Sequence, residues 1–185
     1  MPESFDLMEN TMVALTRDAL TTLRSSLFRD VGANAASYLQ EAGYASGAAL
    51  YEAFRRWLAG RGLGAPESLA ADQFTERATD FFRALGWGSV ELGSLHDAIV
   101  VIDSDNWAEA DPGQPLEFPG CHVSTGMLAD FFGRLAGNDL AVMEVECRSM
   151  GAPRCRFLLA SAEVMQHVYD EMERGLDYSA AADSV

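Results

Sequence analysis

The sequence predicts an α+β fold in which an antiparallel sheet of about four strands carries packed helices. Apolar residues recur at helical spacing through the first 86 positions. Short β-branched segments bounded by glycine then occur in two consecutive pairs. Helical periodicity returns between the pairs and after the second pair. Consecutive strands form hairpins, and helices outside the hairpins cover the sheet that they make.

The N-terminal half predicts four helices. Apolar residues from Leu7 to Leu27 mark the first, in "FDLMENTMVALTRDALTTLRSSLF". The alanine-rich segments "GANAASYLQEAG" and "YASGAALYEAFRRWLAG" predict the second and third, with Gly43 and Gly60 as helix stops. The fourth helix lies in "APESLAADQFTERATDFFRALGWG", where Ser68 is a suitable N-cap.

The second half predicts two hairpins separated by a helix. The first hairpin joins "GSVELGSL" to "DAIVVIDS", and the second joins "DLAVMEVECRSM" to "RCRFLLAS". Helices are predicted in "GCHVSTGMLADFFGRLAG" and "SAEVMQHVYDEMERG". We expect one domain over residues 1–175, with a helical part at about 1–86 and a sheet part at about 87–175. Residues 176–185 are small and polar, which predicts a flexible tail.

The charge of the chain excludes some partners. Its 185 residues include 28 acidic and 13 basic side chains, a formal net charge of −15. Such a surface repels phosphate backbones and anionic lipids, so we expect neither nucleic acid nor a membrane as partner. The N-terminus has no apolar signal segment, and runs such as "AIVVI" are too short to span a bilayer. We therefore expect a cytoplasmic protein with reduced cysteines.

Two of the three cysteines bracket one predicted turn, "CRSMGAPRC", from Cys147 to Cys155. The third, Cys121, opens the helix that precedes this hairpin. Other metal-ligand types lie next to them in the sequence: Glu144, Glu146 and His122. Thiolate, carboxylate and imidazole are the ligands of tetrahedral zinc. The spacing is not that of a zinc finger, and buried free cysteines also fill cores, so spacing leaves both interpretations open.

The run "CHVSTGMLADFFGRLAGNDLAVMEVECRSMGAPRCRFLLA" resembles the 4-vinyl reductase domain family, and the resemblance extends from about Leu23 to Ala160. The family's hallmark is a cysteine, a helix that ends in glycine, a strand with a glutamate, and a Cys–Gly–Cys turn. The resemblance implies a fold related to nitric-oxide-sensing haem domains and to vesicle-transport subunits. It also implies a small-molecule-binding module that is often dimeric.

The resemblance also implies a metal site. In the phenol-sensing activators that carry this domain, three cysteines and a glutamate hold zinc. The matching positions in this sequence are Cys121, Glu144, Cys147 and Cys155. Four protein ligands leave no position for water, so the implied zinc is structural. Three nearby cationic residues are candidates to balance the excess negative charge: Arg148, Arg154 and Arg156.

We expect a stand-alone sensor or carrier of a hydrophobic or aromatic small molecule rather than an enzyme, since no catalytic triad or nucleotide fingerprint is present. Two alternatives are an enzyme or accessory factor of bacteriochlorophyll synthesis and a non-catalytic interaction subunit. No pocket residue is assigned, and Trp107 is interpreted as a rim or packing residue. The small-residue helices in "GANAASYLQEAGYASGAAL" are expected to pack partly against a second copy, as a homodimer.

Overall fold

The computed structural model describes residues 12–185, which form six α-helices, two short 3-10 helices and one four-stranded sheet. The helices are α1 (Arg17–Val31), α2 (Asn34–Ala59), α3 (Ala71–Ala84), α4 (His122–Ala136), α5 (Ala162–Glu173) and α6 (Tyr178–Ala182). The strands are β1 (Glu91–His96), β2 (Ile99–Ser104), β3 (Ala141–Glu146) and β4 (Cys155–Ala160). The predicted α+β class is confirmed, while Leu7 of the first predicted helix lies outside the described residues.

The four strands are arranged in the order β1-β2-β4-β3, and each neighbouring pair is antiparallel. Both predicted hairpins are present, and the β2–β4 pair joins them. One face of the sheet packs against α2, α3 and α4 in what we call the helical core, which includes Ile102 and Phe157. The other face packs against α5 and α6 in a second core, which includes Val101 and Leu158. Over residues 12–185, no helix combines the length and hydropathy needed to span a bilayer.

Helix α2 runs unbroken through Gly43, so the predicted helix stop at this residue is wrong. A Cβ atom on Gly43 would lie 2.0 Å from the carbonyl oxygen of Val123 in α4. Gly126 of α4 approaches α2 in the same way, since its Cβ would lie 1.9 Å from the carbonyl oxygen of Gln40. The two glycines therefore allow direct backbone contact between α2 and α4. Gly60 does end α2, as predicted.

The start of α3 also differs from the prediction. Ser68 does not cap this helix but ends a 3-10 helix, Pro66–Ser68, and its hydroxyl donates to the carbonyl of Ala65 at 2.7 Å. Ala70 is extended, and α3 begins at the next residue. The proline favours a separate first turn, because its fixed φ suits the start of a helix. This turn becomes one wall of a cleft described below.

The C-terminal segment 176–185 contains a packed helix instead of the expected flexible tail. Ala181 and Ala182 of α6 are fully buried in the second core. The hydroxyl of Tyr178 donates a hydrogen bond to the carboxylate of Glu146 at the end of β3. Small side chains suggest a frayed end when composition alone is considered, but here they fill a narrow space beside the sheet.

We expect Gly126→Ala to lower the free energy of unfolding by about 1–3 kcal/mol, the usual effect of overpacking a core. The new methyl group would overlap the α2 backbone, which is not able to move as a side chain does. Gly60→Ala is the matched control, because its Cβ would meet its nearest neighbour at 3.5 Å. Urea denaturation of both variants measures the difference. Equal stability of the two variants would contradict the α2–α4 contact.

Candidate metal centre

Three cysteines and one glutamate meet at one end of the sheet, where all four are buried: Cys121, Glu144, Cys147 and Cys155. Their ligand atoms all lie within 4.8 Å of one another. The Sγ atom of Cys121 is 4.0 Å from that of Cys147 and 3.9 Å from that of Cys155. Tetrahedral zinc with Zn–S bonds of about 2.3 Å places its sulfurs about 3.8 Å apart. The four groups therefore lie close enough to hold one metal ion.

Three separate elements deliver these ligands. Cys121 is the residue that precedes α4, Cys147 follows β3, and Cys155 is the first residue of β4. The turn between the two strands is a 3-10 helix, Arg148–Met150, that ends at Gly151 with a φ of 87°. Glycine adopts this left-handed conformation without strain, so the turn is tight enough to bring the strand ends together.

A β-bulge in β3 decides which glutamate reaches the cluster. Glu144 lies opposite Phe157 of β4, whereas Glu146 lies opposite Arg156, and the register shifts between the two glutamates. Regular alternation would place both carboxylates on one face of the sheet. The extra residue of the bulge instead turns Glu144 towards the helical core and Glu146 towards the opposite face. This separation is not visible in the sequence pattern.

Glu144 is held for coordination by one hydrogen bond and one unmade one. Its Oε2 accepts from the backbone N–H of Cys121 at 2.9 Å. Its Oε1 has no hydrogen-bond partner within the described part of the chain, although it is buried. Burial, together with the nearby Cys147, raises the pKa of Glu144 to about 8. A buried oxygen without a partner destabilises a fold by about 1–3 kcal/mol, and a bound cation removes that penalty.

The thiols form a site that favours one anion in the absence of a cation. Burial raises the pKa of the Cys121 thiol well above its usual value. The pKa of Cys147 is lowered, because the thiols of Cys121 and Cys155 and the backbone N–H groups of Gly120 and Ser149 donate to its sulfur. A metal ion is needed before all three sulfurs lose their protons together.

The arginines expected to balance the charge of this site do so only through the backbone. Arg156 donates from Nε and Nη2 to the carboxylate of Asp103 at 2.7 and 2.6 Å. Arg154 donates to both oxygens of Glu146 at 3.0 and 3.1 Å. Both guanidinium groups are thus engaged on the face of the sheet opposite the cysteines. Arg148 offers its backbone N–H to the sulfur of Cys155.

Glu109 anchors the start of α4 next to the cluster. Its carboxylate accepts from the backbone N–H groups of Val123 at 2.9 Å and Ser124 at 2.7 Å, and from the Ser124 hydroxyl. Burial raises the pKa of Glu109 to about 7. Trp107 Nε1 donates to the same hydroxyl at 2.6 Å, and this indole is fully buried. Trp107 is therefore a packing residue.

A buried arginine of α1 contacts the loop that leads to Cys121. The Nη1 atom of Arg24 donates to the carbonyl of Glu109 at 3.1 Å and to that of Gly120 at 3.3 Å. Nearby, the ring of Phe28 lies 5.5 Å from the ring of His122. His122 is therefore occupied by a helix contact, and neither it nor Glu146 belongs to the cluster.

Residues 108–160 match the family model of the vinyl-4-reductase domain. The matched segment contains all four residues of the cluster, and the resemblance to the 4-vinyl reductase domain family is confirmed over this segment. A sequence search of curated proteins found no match.

Solved structures share the fold at low identity. The phenol-responsive sensory domain of the transcription activator PoxR, solved with phenol, has a TM-score of 0.64 and 20% identity over 82% of this chain and 77% of that one. Subunit 3 of a trafficking protein particle complex from Naegleria fowleri, covalently bound to palmitic acid, has a TM-score of 0.58 and 14% identity over 78% and 91%. A vinyl-4-reductase family protein from Methanocaldococcus jannaschii has a TM-score of 0.48 and 22% identity over 65% and 66%. The first two establish the fold.

Glu109→Gln should change how stability depends on pH. Burial raises the pKa of Glu109 from 4.5 to about 7, so the folded state binds this proton more tightly than the unfolded state. Its stabilising contribution is therefore full below about pH 4.5 and is lost as the pH rises through about 7. We expect the stability of the wild type to fall relative to Glu109→Gln by roughly 3 kcal/mol over this range.

Urea denaturation at a series of pH values between about 4 and 8, on the order of one step per unit, measures this difference. Titration of the cysteines and Glu144 is common to both proteins and cancels in the comparison. Glu117→Gln is the control, because Glu117 is an exposed glutamate of the same loop. Parallel pH profiles of wild type and Glu109→Gln would contradict the assignment.

Proposed function

We propose that this chain is a small-molecule-binding module, a sensor or carrier for a hydrophobic or aromatic ligand, and that its buried cluster is a structural zinc site. The observation that carries the zinc proposal is the unpartnered Oε1 of Glu144 among three converging sulfurs. The fold shared with the PoxR sensory domain, which was solved with phenol, supports ligand binding. In this function the chain recognises a molecule without transforming it.

The donor set suits zinc better than harder or redox-active metals. Three sulfurs and one carboxylate oxygen are soft and borderline ligands, whereas magnesium and calcium prefer oxygen alone. The sulfur separations of 3.9 and 4.0 Å agree with those around a tetrahedral ion. With four protein ligands no position remains for water or substrate, so the ion would be structural. The thiols are free and must stay reduced to serve, which suits a cytoplasmic location.

Core packing alone does not account for the cluster. Buried cysteines that act as small hydrophobes need no carboxylate beside them. Here Glu144 is only 7% exposed, and its backbone partner Cys121 satisfies one oxygen but not the other. A chain without a metal would retain a buried acid with an open acceptor next to a thiolate. Zinc would satisfy that acceptor and join the start of α4 to the β3–β4 turn.

We also propose that the module is a homodimer, through a different surface from the one that the small residues suggested. The glycines of α2 are used inside the chain, against α4. Large apolar side chains are instead exposed on the outer surface of the first two helices: Leu23, Phe28, Val31, Tyr38 and Tyr44. Several such residues on adjacent helices are typical of a surface that a second copy covers.

Metal analysis tests the zinc proposal. We expect about one zinc per chain in protein purified without added metal, the stoichiometry of a site with four protein ligands. Glu144→Gln and Cys155→Ser should lose most of the metal and melt at lower temperature. Glu146→Gln is the matched control, since it removes a carboxylate from the same strand but from the other face, and it should keep its zinc. Wild-type protein that contains no metal and ignores chelators would refute the proposal.

Light scattering tests the dimer. We expect wild type at twice the chain mass of 20.0 kDa. Leu23→Asp, on the exposed surface of α1, should give a monomer, because an unpaired charge is disfavoured in an apolar interface. Leu176→Asp places the same change on an exposed leucine near the other end of the chain and should remain dimeric. A monomeric wild type at micromolar concentration would count against the dimer.

A further inference from the structure

We propose that an open cleft between the Pro66–Ser68 turn, α3 and the β1–β2 hairpin binds a hydrophobic molecule that carries a protonated amine. The cleft has a volume of about 690 Å³, within the range of small-molecule sites. This inference rests on the proposed ligand-binding function and names the chemical class of its ligand. It assigns the specificity to two carboxylates of this chain.

The floor of the cleft is apolar. It is formed by five side chains from four elements and the turn: Leu69, Phe74, Leu92, Val100 and Leu135. Val100 lies opposite Leu159, which is buried in the helical core, so both side chains belong to the same face of the sheet. Val100 is nevertheless 44% exposed. The helices that cover the rest of this face therefore leave the β1–β2 end open to a ligand.

The rim of the cleft is negatively charged. Glu67 and Asp72 line it, and no cationic side chain does among the described residues. Glu67 accepts a hydrogen bond from the hydroxyl of Tyr51, which fixes the carboxylate at the mouth. Asp72 accepts from the backbone N–H of Gln73 at 2.9 Å in the first turn of α3. Both carboxylates keep oxygen lone pairs that are free to accept from a ligand.

This arrangement discriminates by charge. A ligand with an apolar body would cover Val100 and Leu92, and its ammonium group would reach one carboxylate or both. A carboxylate or phosphate in the same place would meet two like charges within a chain of net charge −15. A neutral alcohol would gain the hydrogen bond without the charge attraction. Binding strength should therefore follow the order amine, alcohol, acid.

Three compounds with one hydrophobic body test the proposal: 4-butylbenzylamine, 4-butylbenzyl alcohol and 4-butylbenzoic acid. Calorimetric titration of the full chain is expected to give an amine affinity about tenfold above that of the acid, the effect of two partly screened charges. Higher salt should narrow the gap. Asp72→Asn should weaken amine binding about fivefold and leave the alcohol unchanged.

Asp18→Asn is the matched control for the helix. Asp18 lies in the first turn of α1 as Asp72 does in α3, so both variants remove one favourable charge from a helix N-terminus. Only Asp72 lines the cleft, and Asp18→Asn should bind all three compounds as wild type does. Val100→Lys tests the location, since its cation would project from the floor and should abolish amine binding. Thermal melts of each variant report that it is folded.

The outcomes separate this inference from the proposed function. Preference for the amine that Asp72→Asn reduces supports the inference. Equal or tighter binding of the acid, or amine binding that survives Val100→Lys, overturns it and leaves a hydrophobic ligand-binding module in place. If none of the compounds binds at millimolar concentration, the inference fails. If a broader set of apolar compounds also fails to bind while zinc is retained, the ligand-binding function fails with it.

Discussion

The architecture depends on the burial of four ionisable side chains in a volume that suits one ion. Their ligand atoms lie within 4.8 Å, and each comes from a different point of the chain. Three sulfurs and a carboxylate at this distance repel one another once ionised, so they are compatible with a stable core only when protonated or when bound to a cation. The start of α4 and the β3–β4 turn have no comparable covalent or ionic link elsewhere in the described residues. Metal binding and folding are therefore a single equilibrium at this end of the sheet.

The N-terminus of α4 links this centre to the rest of the molecule. Its first N–H groups are bound by Glu109, its flank is touched by Phe28, and the loop before it is held by Arg24. One turn further on, Gly126 packs directly on α2. A shift of this helix would therefore alter contacts with α1, with α2 and with the ligand cysteine at once. Such convergence gives the module a rigid frame around an open cleft.

The sequence predicts the class, both hairpins and most helices, because their signals are local. Gly43 misleads because a glycine that ends a helix and one that admits a neighbouring helix look alike in a single sequence. The short helix α6 is missed because the burial of two alanines depends on a gap beside the sheet. Glu109 is missed because its backbone partners lie 14 and 15 residues away, where no capping pattern operates. The four cluster residues were named from family resemblance, and geometry distinguishes Glu144 from Glu146.

The bulge in β3 makes the site sensitive to chain length rather than to chemistry. Deleting one residue between Glu144 and Glu146 would restore regular pairing with β4 and rotate the downstream part of the strand onto the other face. Both carboxylates would remain in the sequence, yet the cysteine that follows would turn away from its partners. A relative could thus keep every ligand letter and have no site. Gaps, more than substitutions, mark where this centre was gained or lost among related chains.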